Sequence, residues 1–158
     1  MKILGVDPGT VRLGWGVIDD EVMVSCGCLE TQAGLSEEIR LRILFDQLTK
    51  IIKKFKPEVV VVEKLFFFKN QTTVIPVAQS RGVILLAAAQ NNLPVFSYTP
   101  LQIKQAVTGY GRAEKNQVQQ MVKSILKLKT IPRPDDAADA LAVALTHQFS
   151  YKFKSRVK

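Results

Sequence analysis

The chain has 158 residues, enough for one domain with a real core, and its 47% apolar share excludes a disordered polymer. Lysine and arginine number 22 against 14 acids, a formal charge of +8, which suits a polyanionic partner but by itself also merely keeps many proteins soluble. Cys26 and Cys28 are the only cysteines: too few for a zinc site, and too close along one strand for an unstrained disulfide.

Residues 2–7 read as a first strand, and Pro8-Gly9-Thr10 as a turn. Residues 12–18 return with Leu13, Trp15 and Val17 alternating, and Asp19-Asp20 turns into a third strand at 22–30, which puts both cysteines, reduced, on one face. Residues 36–55 form an amphipathic helix with Ser36 as N-cap, Glu37 and Glu38 in the first turn, lysines at the end and Pro57 as terminator. Residues 59–63 are short and β-branched with no polar alternation, the pattern of a strand covered on both faces. A helix is expected over 76–91, a strand over 94–98, and a short helix from Pro100 to Thr108 behind a Thr99 cap. A helix over 113–127 turns Val118, Met121, Val122, Ile125 and Leu126 inward, and a last helix spans about 135–148. No linker divides the chain, so one domain is expected over residues 1–150, with a basic, frayed tail at 151–158. There is no charged-then-apolar leader, and no stretch reads as long enough to cross a bilayer, so a cytoplasmic protein without membrane contact is expected.

A meander followed by alternating helix and strand gives an α/β fold, a mixed sheet flanked by helices. If the strands at 2–7 and 59–63 are parallel neighbours, Asp7 and Glu63 emerge at the same carboxyl edge, where open α/β sheets place their sites. An acid at the tip of a buried strand is expensive unless something positive compensates. Asp136 and Asp139, three apart on a helix, share a face and can point at that edge. Each of this pair taken singly is explained by the helix dipole, as Asp135 is. Four acids from three elements point instead to divalent metal, and two ions held by carboxylates suit phosphodiester hydrolysis.

The strings VDPGT, LGWGVI, VEKLF, IKQAVTG, AEK and DDAADALAVALTH, in this order, resemble the RuvC family of Holliday-junction resolvases over roughly residues 1–148. The resemblance implies a ribonuclease-H-like fold with a five-stranded sheet. It also implies Mg²⁺-dependent paired symmetric nicking of four-way DNA junctions in recombination and repair. Asp7, Glu63, Asp136 and Asp139 take the places of the family's catalytic, metal-binding acids, for two Mg²⁺ ions that Mn²⁺ can replace. Lys104 and Lys115 match lysines that contact DNA. Phe66 matches a phenylalanine that opens the junction, although the run Phe66-Phe67-Phe68 lets a neighbour share that task. Phe67, Lys69 and Arg112 complete the expected DNA contacts. A homodimer and cooperation with the pathway's branch-migration motor are implied as well. The dimer has separate support: the run Val83–Ala89, after Arg81 and Gly82, is apolar nearly all round, which leaves a second side for a partner subunit, or for another element of the same domain, to cover. Lys115 does too, because it lies in a helical first turn, where free amides favour phosphate. His147, the sole histidine, is read as an ordinary near-surface or C-terminal-turn residue.

Two other readings compete. An RNA-processing nuclease would share the fold and metal chemistry, but the AEK and DAAD segments speak against it. An actin-like nucleotide binder would share the Asp7-Pro8-Gly9-Thr10 loop, but it needs a second, duplicated domain that this sequence does not contain.

Overall fold

The computed structural model describes residues 1–9, 11–65 and 71–156. Strands β1 (Lys2–Asp7), β2 (Arg12–Asp19) and β3 (Val22–Glu30) form the antiparallel meander, while β4 (Val59–Glu63) pairs parallel with β1 and β5 (Val95–Tyr98) parallel with β4. The five-stranded sheet has the order β3-β2-β1-β4-β5, and helices cover both faces. Helices α1 (Glu37–Phe55) and α2 (Gln71–Gln90) lie on one face. Helix α5 (Asp135–Arg156) lies on the other, with α3 (Pro100–Thr108) and α4 (Lys115–Ile125) beside it.

Side chains alternate across a strand, and the core divides accordingly. Leu4, Val6, Val60 and Val62 pack with Leu44, Leu48, Ile84 and Ala88 from α1 and α2. Ile3, Val59 and Val61 pack with Leu141, Ala144 and Leu145 from α5. The four valines of β4 are all buried, which is why that segment shows no polar alternation. Each contributes roughly 1.5–3 kcal/mol by leaving water.

Helix α5 approaches the sheet closely because β1 and β2 present glycines to it. A Cβ on Gly5 would stand 2.1 Å from the Ala140 carbonyl oxygen, and one on Gly14 would stand 2.0 Å from that of Asp136. Real side chains do not tolerate such contacts, so these glycines fix where the helix starts and at what height its first turn sits.

Several elements differ from expectation. Helix α2 begins at Gln71, five residues before the expected start, and carries Pro76 inside it. Proline favours a first helical position, which makes Pro76 look like a beginning in the sequence. Residues Thr72–Gln90 are also long and apolar enough to cross a membrane by length and composition, with a mean hydropathy of 1.3, so the expectation that no such stretch exists is corrected. Ser80, Ile84, Ala87 and Ala88 of this helix are buried against the domain, whereas Ile75 and Leu86 are exposed. Ser36 occupies the N-cap of α1, but its hydroxyl donates to Glu38 instead of accepting from the backbone. In α4 and its C-cap, Val118, Val122 and Leu126 are buried as expected, but Met121 is exposed and Gln119 takes an inward place. Helix α5 continues to Arg156 instead of ending near 148, so residues 151–156 of the segment expected to fray are helical. Gln148 and Lys152 tie it to the β2–β3 turn, the first to Asp20 and the second to Glu21 at 2.8 Å.

Candidate active site

Three acids meet through backbone register. Val6 of β1 lies opposite Val62 of β4, so Asp7 and Glu63 leave the sheet side by side, one strand spacing apart. Odd-numbered positions of both strands face α5, which puts both carboxylates on that side. Asp7 also lies opposite Gly14 of β2, and the Asp136 backbone is seated on Gly14. One helical turn on, Asp139 lines a cleft of about 210 Å³ together with Glu63, Lys104, Lys115, Ile103 and Val143.

The electrostatics are those of an overcrowded anionic pocket. Withdrawal from water pushes the Asp7 carboxyl up from 3.8 to about 8, and the charges of Glu63, Asp139 and Asp136 push it the same way. Burial also raises Glu63, with Asp139 adding to it, while nearby Lys104 opposes the rise. Asp139 is raised by burial against the opposing pull of Lys115. Two cations hold the outer acids. Lys115 Nζ lies 3.0 Å from Asp139 Oδ2 and 3.8 Å from Asp135, and Arg12 Nε lies 3.3 Å from Asp136 Oδ2.

Among the described residues, no group of three or more carboxylate, histidine or cysteine side chains is arranged to hold an ion as it stands. Lys115 and Arg12 engage two of the four acids, and a carboxylate paired with an ammonium or guanidinium is not free to turn inward. The donor chemistry nevertheless fits a hard divalent cation, since every candidate ligand is a carboxylate oxygen and the mutual repulsion at Asp7 is what such an ion relieves.

The expected DNA contacts are placed unevenly. Lys104 and Lys115 both line the cleft. Arg112 is exposed in the turn just before α4. Phe66, Phe67 and Lys69 lie outside the described residues. The free amides expected around Lys115 are partly taken, because Glu114 and Gln117 cap α4 reciprocally. His147 is not near the surface, which corrects the expectation. It is 5% exposed, lies 2.9 Å from the Tyr98 hydroxyl through Nδ1, and packs against the Phe96 ring, 4.4 Å between ring centres and tilted by 40°. Burial, with Lys154 adding, lowers its pKa.

Two residues at the site went unremarked in the sequence. Arg12 starts β2 and pairs with Asp136; a charge two residues before the glycine that seats α5 was its only local signal. Ser80, fully buried in α2, donates a hydrogen bond of 2.9 Å to the Gly9 carbonyl, which pins the turn after Asp7. A single hydroxyl in the apolar stretch of that helix after Pro76 was the corresponding hint.

Comparison with known proteins gives the chain's family and fold. The family model for crossover junction endodeoxyribonuclease RuvC matches residues 3–147. A curated protein of that name from Fusobacterium nucleatum is 55% identical over 93% of this chain and 80% of its own length. Another, from Pelotomaculum thermopropionicum, is 51% identical over 100% of this chain and 99% of its own. Among solved structures, Thermus thermophilus RuvC in complex with Holliday junction substrate superposes with a TM-score of 0.93 at 35% identity, covering 98% of this chain and 97% of that one.

Proposed function

Because this chain belongs to the RuvC family of crossover junction endodeoxyribonucleases, we propose that it resolves four-way DNA junctions by paired, symmetric phosphodiester hydrolysis. The observation that carries the reading is the register that sets Asp7 beside Glu63 under the acidic first turns of α5. Asp7, Glu63, Asp136 and Asp139 would hold the metal, with Mg²⁺ favoured by the all-oxygen donor set and Mn²⁺ able to replace it. Bound divalent ions, two per site, supply activated water and neutralise charge on the attacked phosphate.

The chain's own groups do the rest. Asp7, raised to about 8, is the acid most in need of a cation and so anchors the pocket. Lys104 and Lys115 line the cleft beside Glu63 and Asp139, where each can take a phosphate oxygen of the strand to be cut. Lys115 is held by Asp139 without DNA, so neutralising the acids frees its ammonium for phosphate. Arg112, exposed before α4, extends the basic wall, and Phe66, Phe67 and Lys69 follow the Glu63 strand in sequence as candidates for opening the crossover. All of this belongs to one nuclease domain over 1–150, with 151–158 as its basic C-terminal end.

Paired nicks in a two-fold substrate call for two sites related by a two-fold axis. The exposed side of α2, with Ile75 68% and Leu86 52% exposed, is the surface proposed to pair with a second copy. Cooperation with a branch-migration motor and a cytoplasmic location follow from the substrate assigned here.

The test is nicking of a synthetic mobile four-way junction with and without Mg²⁺, beside structured RNA. Asp7→Asn and Glu63→Gln should bind the junction but not cut it. Cutting at wild-type rate by either variant, or preference for RNA, rejects the assignment.

A further inference from the structure

We propose that Arg12 is a positioning residue for Asp136: it holds this carboxylate in the metal-free enzyme and yields it when a divalent cation binds. The proposal rests on the reading of Asp136 as a metal ligand.

The backbone of Arg12 is fixed on two sides. A Cβ on Gly9 would stand 2.0 Å from the Arg12 carbonyl oxygen, so the turn after Asp7 is packed against it. Across the sheet, Arg12 lies opposite Glu30 of β3. Two residues on, and on the same face, Gly14 seats the backbone of Asp136. Sequence and register therefore force the guanidinium between a site acid and an acid that lies outside the site.

The side chain divides itself accordingly. Nε is 3.3 Å from Asp136 Oδ2 and Nη2 is 3.4 Å from Glu30 Oε1, both longer than the 3.0 Å of Lys115 to Asp139. A guanidinium carries donors enough to serve two carboxylates at once. Shared in this way, and half exposed, it binds neither tightly. A cation arriving at Asp136 repels the guanidinium, and Glu30 already offers the place to which it moves. Arg12 thus limits repulsion among the acids without metal, but competes with metal for one of them.

This competition gives two variants of one network opposite signs, which a purely structural role does not. Mn²⁺ binding is measured by electron paramagnetic resonance without DNA, where no turnover enters the readout. Arg12→Ala, and Arg12→Gln in case the shorter side chain unsettles the strand, should bind Mn²⁺ roughly two- to fivefold more tightly than wild type, the range expected for removing a solvent-exposed ion pair. Arg12→Lys should reverse most of that gain, because it keeps the charge. Glu30→Gln, which leaves Asp136 as the guanidinium's remaining carboxylate partner beside the Cys28 thiol, should bind Mn²⁺ about twofold more weakly. The Mg²⁺ concentration for half-maximal nicking should move with the same sign in each variant. Unchanged or weaker Mn²⁺ binding in both Arg12 variants overturns the proposal, as does unchanged binding in Glu30→Gln. Asp136→Asn separates the two failures. If it weakens Mn²⁺ binding while the Arg12 variants do not tighten it, only the role of Arg12 falls; if it has no effect, the metal assignment falls as well.

Discussion

Asp7→Asn should make the metal-free protein more stable while abolishing its chemistry. An ordinary aspartate ionises at 3.8, but here the folded state holds the proton up to about 8, first because the carboxyl is withdrawn from water and then because Glu63, Asp139 and Asp136 surround it. The folded protein thus binds a proton that the unfolded chain releases, so stability falls as pH rises through the window from about 4 to about 8. At pH 7, about three pH units into that window, the cost is about 4 kcal/mol at about 1.4 kcal/mol per unit. Asparagine has nearly the same shape and no charge, so it removes this cost. For a domain of this size the gain corresponds to roughly a 10 °C rise in Tm.

The assay is thermal unfolding by circular dichroism at pH 5 and pH 7 in chelator, repeated with Mg²⁺. The variant should melt well above wild type at pH 7, the difference should shrink towards pH 5, and Mg²⁺ should raise the wild type much more than the variant. A Tm at or below wild type at pH 7 in chelator, or an equal difference at both pH values, would refute the account of Asp7 as a carboxyl that must keep its proton at a cost until a cation binds.

Gly14→Ala places a methyl against the Asp136 carbonyl and should cost about 3 kcal/mol in urea unfolding; nicking by the folded fraction should drop as well, because Asp136 is displaced. His147→Ala should cost about 2–3 kcal/mol by leaving the Tyr98 hydroxyl unpaired and a hole beside Phe96, measured in the same way at pH 7.5. The lowered pKa of His147 means that the unfolded chain takes up its proton first. Its contribution is therefore present above about 6.5 and lost as pH falls below, and a His147→Phe protein should show a flatter stability profile there. If the exposed side of α2 pairs two copies, as proposed, Leu86→Glu should shift sedimentation from dimer to monomer, with little change in unfolding of the monomer; an unchanged dimer would move the interface elsewhere.

The parts legible in the sequence were those fixed by local chemistry. Val59–Glu63 announced a strand buried on both faces with an acid at its tip, and Thr99-Pro100 announced a helix that the structure caps through Thr99 and Gln102. Signals that serve two purposes misled: Pro76 resembles a helix start yet lies inside α2, and the basic run after residue 148 reads as a tail although no Gly or Pro stops α5 before Arg156. Partners supplied by distant elements were invisible. His147 looked solvent-facing because nothing near it in sequence reveals Phe96 and Tyr98, and Arg12 gave no sign of Asp136, more than a hundred residues away.

That last pairing bears on how so acidic a pocket persists in a basic protein. A chain with a formal charge of +8 attracts DNA from a distance, but close to the cut the acidic cluster of Glu63, Asp136 and Asp139 repels a phosphate, and Asp7 adds to it once it gives up its proton. Lys115 and Arg12 are spent on two of those acids until something else neutralises them. In the proposed mechanism the divalent ions take over that neutralisation, which both removes the repulsion and frees Lys115 for phosphate. Metal and DNA should then favour one another's binding, and by linkage the effect must be equal in both directions. Junction DNA carrying a non-hydrolysable linkage at the cut should therefore tighten Mn²⁺ binding by the same factor as Mn²⁺ tightens junction binding. In Asp7→Asn, where one of the acids that bring the two together is gone, both factors should fall towards one.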